Sequence, residues 1–393
     1  MLLWYRFVLL GQVASLAISG LGAGRAPNPQ LRQQATEERM VIAVGGDVLP
    51  ASSWAGPQDV THFLDAMRAE FAGTDLVFVN LEEPITSHRE ATPFKSRSEV
   101  AVGRDYILKA QDPGIPVALK QGGVGLVGLA NNHMMDYTLA GLRDTLHAFH
   151  QAELPVVGAG FKIDAERPFI LQKRGRRVAL LAFSDVVPRN AGTMETHLGI
   201  ASAKDERDLV NAIRRARRQA DFVVLMMHWG GQGSHLIIPR QRQLARAAAE
   251  AGCDVIVGMH PHVLQGIEYF GHVPVLYSIG NFAFASRRPA SQECVLVKLK
   301  FGSERLEEVD LVPVVISPGG VPTPAGQEQG KEILDHLDGF CRMFNSQVRE
   351  GRLMASSPRE RLIYEPRAKK SVSPPRHRPA PRRSSPKRGA EKS

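Results

Sequence analysis

Six β-forming runs of this chain are apolar almost from end to end: Met40–Val44, Leu76–Val79, Val124–Leu129, Val178–Phe183, Phe222–Met227 and Val255–Val257. None alternates apolar with polar residues, so none can lie with one face in water. Strands of that kind need cover on both sides. The cover is written between them, as apolar residues at helical spacing over 58–72 (Val60, Phe63, Leu64, Met67, Phe71), 138–151, 204–219 and 239–251, with a last helix expected over 330–349. Further strand-like runs fall at 273–279, near 294–300 and at 309–316. Strand alternating with helix predicts an α/β sandwich with a largely parallel sheet. Residues 83–112, which contain Pro84 and Pro93, read as an irregular loop that lines a site.

Open α/β sheets place their sites at the carboxyl ends of the strands. In this chain the first polar positions there are Asp47, Glu82, Asn132 with His133, His228, and His260 with His262. One such residue means little, because every strand must end in something polar. Two carboxylates, an amide and four imidazoles from five strand ends make a mixed oxygen and nitrogen shell with enough ligands for two divalent ions. His260 and His262 flank Pro261, and side chains at i and i+2 of an extended segment share a face, so both rings are expected to meet one pocket. Glu82 is the natural bridging carboxylate. His133, next to a ligand amide, is the natural general acid for a leaving group.

Other residues carry a plain reading beside a functional one. Asp136 completes a catalytic pair by orienting His133, or caps the following helix. Trp229 walls a substrate pocket, or is a buried aromatic. Asn281, after Gly280, contacts substrate, or makes a turn. Arg214, Arg215, Arg217 and Arg218 read as a solvated helix face. Cys253, Cys294 and Cys341 are too scattered for a zinc knuckle or a disulfide framework.

Six segments resemble, in order, the motifs of the poly-gamma-glutamate capsule biosynthesis (CapA) family. They are Val44-Gly45-Gly46-Asp47, Asn80 to Thr86, Leu129 to Asp136, His228-Trp229-Gly230, Gly258 to Gly266 and Tyr277 to Phe282. The resemblance covers about residues 40–316. That family is similar to the calcineurin-like metallophosphoesterases, which implies a four-layer α/β/β/α sandwich. It also implies that one ion takes Asp47, Glu82 and His262, and the other Glu82, Asn132, His228 and His260, with His133 as the acid. Manganese, iron and zinc all suit such a set. The chain departs from the superfamily at Leu49, where a second ligand for the first ion is expected, so that ion is expected to be weakly held or absent. Gln232 and Glu83 also replace the usual residues, an acid and a glycine, and bear on substrate preference.

The charge of +9 looks like a nucleic-acid signature until it is located. Residues 366–393 hold ten Lys and Arg against the single acid Glu391, which accounts for all of it. The body is neutral by count, so no specific nucleic-acid partner is expected, and only the tail is suited to anionic lipid or polymer. Residues 1–24 carry an early positive charge, an apolar stretch and a run of small residues, the pattern of a signal peptide or membrane anchor. A linker over 25–38 then leads to a body over 39–354. Export to the cell envelope follows, periplasmic or anchored facing outward. With the motifs, it points to synthesis, release or export of an anionic surface polymer such as poly-gamma-glutamate by a metal-dependent hydrolytic site. Two alternatives stay open: a phosphoesterase on a small or lipid-linked substrate, and a non-catalytic polymer-binding partner of a membrane-bound synthase. Residues 355–393, rich in Pro, Ser, Arg and Lys, lack apolar residues to bury and are expected to be disordered. Truncation after about residue 355 should leave the melting temperature unchanged; a fall of many degrees would mean that the tail docks on the body.

Overall fold

Each apolar run forms a strand whose alternate residues feed two different cores. In the strand Met40–Val48, Ile42 and Val44 join one cluster and Ala43 another; in Phe222–His228, Val224 and Met226 point one way and Val223 and Leu225 the other. Both faces are covered, which is why neither strand needed a polar side. A computed structural model describes residues 39–51, 60–102, 105–110, 112–188, 191–192 and 197–355. Residues 1–24, expected to be a signal peptide or membrane anchor, the expected linker 25–38 and the tail beyond 355 lie outside these residues.

Two mixed sheets result. The larger has the order Ser346–Arg349, Arg352–Ala355, Leu306–Ile316, Glu293–Phe301, Met40–Val48, Leu76–Leu81, Leu126–Gly128, Val156–Val157. Its last four strands are parallel and the rest antiparallel. The smaller runs Ile267–Phe270, Val273–Leu276, Val255–Met259, Phe222–His228, Arg176–Ser184, Phe169–Lys173, parallel in its middle and antiparallel at both edges. Strand patterning predicted a largely parallel sheet, and the family resemblance implied the two sheets of a four-layer sandwich, which is the arrangement found. The strands split between two sheets because the inner faces need each other: Ile42, Phe78 and Leu126 of one pack with Leu180, Val224 and Val257 of the other.

Two outer clusters complete the layers. Val77, Val79 and Val127 bury against Leu119, Leu142 and Phe149 from the helices Ile115–Gln121 and Thr138–Gln151. On the other side Leu181, Val223 and Ile256 bury against Leu209 and Ile213 of Glu206–Arg217 and Leu244 of Pro239–Ala251. The order helix, sheet, sheet, helix is the four-layer α/β/β/α sandwich.

Two expectations about local winding change. Over 58–72 the described part is a turn, a 3-10 turn Asp65–Met67 and a short helix Arg68–Phe71, yet Phe63, Leu64, Met67 and Phe71 are all buried. Apolar spacing determined which face is buried, not how tightly the chain winds. The last helix is Gln327–Cys341, after which the chain forms the hairpin Ser346–Arg349/Arg352–Ala355. Pairing of Arg352 with Asp310 recruits that segment to the sheet edge. Among the described residues no helix is long and apolar enough to cross a membrane.

Gly258 shows how closely the layers meet beside the strand ends. A Cβ there would lie 2.1 Å from the Tyr277 carbonyl oxygen and 2.4 Å from Trp229 Nε1, two groups already bonded to each other at 2.8 Å. Gly258→Ala should therefore destabilise the chain by ~2 kcal/mol or more through overpacking, seen as a lower urea midpoint with an unchanged slope.

Candidate metal centre

The parallel strands of both sheets end at one place. The strand Met40–Val48 brings Asp47, and Leu76–Leu81 brings Glu82 just past its end; Phe222–His228 ends on His228, and Val255–Met259 leads into His260 and His262. Gly46 makes room for this, since a Cβ there would stand 2.1 Å from the Gly280 carbonyl oxygen. The segment that follows Gly280 pairs Asn281 directly with Asp47.

The two histidines converge by a different route from the one their spacing implied. The strand ends at Met259, and His260 and His262 have φ of +93° and +57°, left-handed backbone that non-glycine residues seldom adopt. Both rings reach one pocket because the chain is bent sharply on either side of Pro261, not because an extended strand alternates. The bend is held from both sides: His260 N donates to Asp47 Oδ2 at 3.2 Å, and Gly233 N donates to the Pro261 carbonyl at 2.8 Å. Strain of this kind persists where surrounding contacts over-determine it, and it gathers at functional sites.

Two sets of side chains bring ligand atoms within 4.8 Å of one another: Glu82 with His228 and His260, and Asp47 with Glu82 and His262. All are buried, and Glu82 belongs to both. Asn132 joins the first set, with Oδ1 2.7 Å from His228 Nε2. Asn281 Oδ1 accepts from His262 Nδ1 at 2.8 Å, and its own Nδ2 donates to the Ser291 carbonyl. Trp229 is elsewhere: fully buried, it packs on Tyr277 in the outer core, outside the ligand sets.

The electrostatics of the site are those of ligands gathered before their cation. Burial pushes the Asp47 carboxyl well above the usual carboxylate range, and the Glu82 charge pushes it further. Burial acts on Glu82 in the same direction, but His262, His228 and His133 outweigh it and hold that carboxyl below its usual range. Burial lowers His228, and with the neighbouring His228 and His262 it lowers His260 strongly. Both rings are thus kept neutral, the form that ligates metal. Neither Glu82 oxygen accepts a hydrogen bond of ordinary geometry, although His228 Nε2 stands 3.3 Å away, and His228 Nδ1 and His260 Nδ1 have no partner. Buried polar atoms are rarely left so. Oxygen and nitrogen donors in this number fit a divalent ion.

The two sets are not equal. Leu49 is fully buried in an apolar cluster with Leu108 and Phe284, and Phe284 packs on the His262 ring at 4.9 Å. An apolar wall therefore stands beside the Asp47 set, where the second ligand was missing from the sequence.

His133 lies next to the ligands, close enough for its charge to act on Glu82, His228 and His260. Its Nδ1 is 2.8 Å from Asp136 Oδ2. Three buried residues of the site were not singled out from the sequence. Asn80 donates to Asp47 Oδ1 at 2.8 Å; Asn131 donates to Asn80 Oδ1 and accepts from the His133 and Met134 amides, tying the acid's turn to a ligand. Both lie inside the motif segments, Asn131 beside Asn132 and Asn80 two residues before Glu82, which is the signal that could have found them. Lys95, from the irregular loop, lies 3.0 Å from His133 Nδ1. Nothing periodic marks it.

Residues 41–286 match the family described as bacterial capsule synthesis protein PGA_cap. The chain is 28% identical to the PGA biosynthesis protein CapA of Bacillus subtilis (strain 168), over 83% of this chain and 84% of that one. It is 32% identical to the capsule biosynthesis protein CapA of Bacillus anthracis, over 64% of this chain and 60% of that one. Among solved structures, the calcineurin-like phosphoesterase YfkN from Bacillus subtilis superposes with a TM-score of 0.42 at 13% identity, covering 77% of this chain and 97% of that one. A likeness of that order adds no argument to the layers described above.

The purified chain should bind divalent metal, with the ion at Glu82, Asn132, His228 and His260 held more tightly than the one at Asp47 and His262. Elemental analysis after graded chelation checks this. His260→Ala should abolish the tight ion, and full chelation should lower the melting temperature by ~5 °C; metal-free protein as purified from metal-replete medium, with no uptake on titration, would remove the metal site.

Proposed function

Because the chain belongs to the bacterial capsule synthesis protein PGA_cap family, we propose that it acts in making, releasing or exporting an anionic cell-surface polymer such as poly-gamma-glutamate, through a metal-dependent hydrolytic site. The observation that carries this reading is the convergence of Asp47, Glu82, Asn132, His228, His260 and His262 beside a His133–Asp136 pair. Divalent ions held there supply Lewis acidity toward the oxygen of the bond being cleaved. The chain supplies the rest. Glu82, shared by both sets, keeps the ligands at one centre, and the Asn80–Asn131 bonds fix the His133 turn against Asp47. Asp136 orients the His133 ring, which delivers a proton to the departing group as the bond breaks. Asn281 and Ser291 hold His262 in its strained turn. The same reading takes the body to be exported, with the targeting segment at residues 1–24.

A second reading, a polymer-binding partner of a membrane-bound synthase without turnover of its own, draws on the Leu49, Leu108, Phe284 wall beside the Asp47 set. A partner needs the cleft but no proton donor. A phosphoester substrate, small or lipid-linked, is served by the same residues as the polymer.

Turnover on phosphoester and gamma-glutamyl probes, measured together with metal content, separates these. His133→Ala should keep the metal and lower kcat by ~100-fold or more. Metal binding without turnover on any probe, unaffected by His133→Ala, would favour the binding partner.

A further inference from the structure

We propose that Lys95 is a positioning residue for His133, acting through Asp136, so that the loop over residues 83–112 is part of the machinery rather than a cover over it. The inference rests on the hydrolytic reading only for its kinetic consequence; the geometry stands without it.

Asp136 is the hub. Its side chain is 1% exposed: Lys95 Nζ forms an ion pair with Oδ1 at 2.7 Å, and the Leu108 amide and His133 Nδ1 hydrogen-bond to Oδ2, each at 2.8 Å. Oδ1 accepts no hydrogen bond of ordinary geometry, so its partner is the lysine charge. The Asp136 carbonyl oxygen also accepts from the Thr92 amide at 2.8 Å. Three of these four contacts come from the segment 83–112. A carboxylate this deep beside a neutral ring alone would be an uncompensated buried charge, which is strongly destabilising. The compensating cation is Lys95, itself 4% exposed, with a hydrogen bond to the Tyr106 carbonyl at 2.7 Å and a longer ion pair with Asp105 at 3.7 Å.

The arrangement also chooses between the two neutral forms of His133. Nδ1 faces an acceptor, Asp136 Oδ2 at 2.8 Å, and a donor, Lys95 Nζ at 3.0 Å, and it can satisfy one of them. Lys95 Nζ donates its shorter hydrogen bond to the Tyr106 carbonyl, at 2.7 Å, and its charge lies 2.7 Å from Asp136 Oδ1. That ion pair holds the carboxylate with Oδ2 toward the ring. The proton is therefore assigned to Nδ1, which leaves Nε2 as the ring atom available to exchange a proton with substrate. Without Lys95, the carboxylate is free to turn toward the Leu108 amide, and the ring loses the partner that sets its tautomer.

A lysine that merely pins the loop would leave that tautomer untouched, and this decides the test. Imidazole 15N spectra of the full chain report it, with the His133 signals identified by their loss in His133→Gln. The wild type should show the Nδ1–H pattern. Lys95→Met should keep wild-type metal content, lose that pattern, and lower kcat ~10-fold or more with KM nearly unchanged, whereas Lys95→Arg should restore the pattern. Where Lys95→Met fails to fold, Lys95→Gln takes its place, since it keeps a hydrogen-bond donor and removes only the charge. A native His133 pattern in the folded neutral variant overturns the proposal. Absence of wild-type turnover would remove the hydrolytic reading and leave the spectrum to decide the role of Lys95.

Discussion

Two fully buried carboxylates, Asp47 and Glu82, stand within reach of three imidazoles where the parallel strands of both sheets end. Removing carboxylates from water costs several kcal/mol each unless cations and hydrogen bonds replace the solvent, and the surrounding structure is organised around that requirement. Asn80 and the His260 amide donate to Asp47, while His228 and His262 stand around Glu82. The Glu82 oxygens and the Nδ1 atoms of His228 and His260, left without a hydrogen bond of ordinary geometry, mark what remains unpaired. A divalent cation resolves all of it at once.

Rigidity comes from the layers behind the site. The double cover of each strand fixes where the strands end, and close contacts at Gly46 and Gly258 let neighbouring segments cross with almost no clearance. Only a frame of that stiffness holds His260 and His262 at positive φ. The same packing explains the asymmetry of the centre. Leu49 is fully buried with Leu108 and Phe284 around it, so the wall against His262 is apolar.

Residues 83–112 join the site from outside this frame. Their order depends on polar contacts to a few fixed points: Thr145 and Asp144 hold Ile85 and Thr86, and Asp136 holds Lys95, Leu108 and Thr92. Ile85, Leu108 and Ala110 also tuck into the apolar clusters, so this loop combines a few buried apolar anchors with charge and hydrogen bonding, where the sheets rest on apolar burial throughout.

The two kinds of force explain what was legible in the chain alone. Apolar runs and their spacing reported the strands, the covering helices and the polar residues at strand ends, because burial on both faces leaves a local mark at every position. They drew attention to Asp47, Glu82, Asn132, His133, His228, His260 and His262, which the fold brings side by side. What the tertiary structure decided was everything carried by contacts between distant segments: the division into two sheets, the recruitment of 346–355 as a hairpin, the left-handed backbone around Pro261, and the placing of Lys95 against His133, residues 38 positions apart. Trp229 illustrates the limit, since an aromatic beside a ligand histidine faces the site or the core according to which neighbours crowd it, here Tyr277 across Gly258. Periodicity records whether a residue is buried, whereas the partner it is buried against depends on how the chain returns.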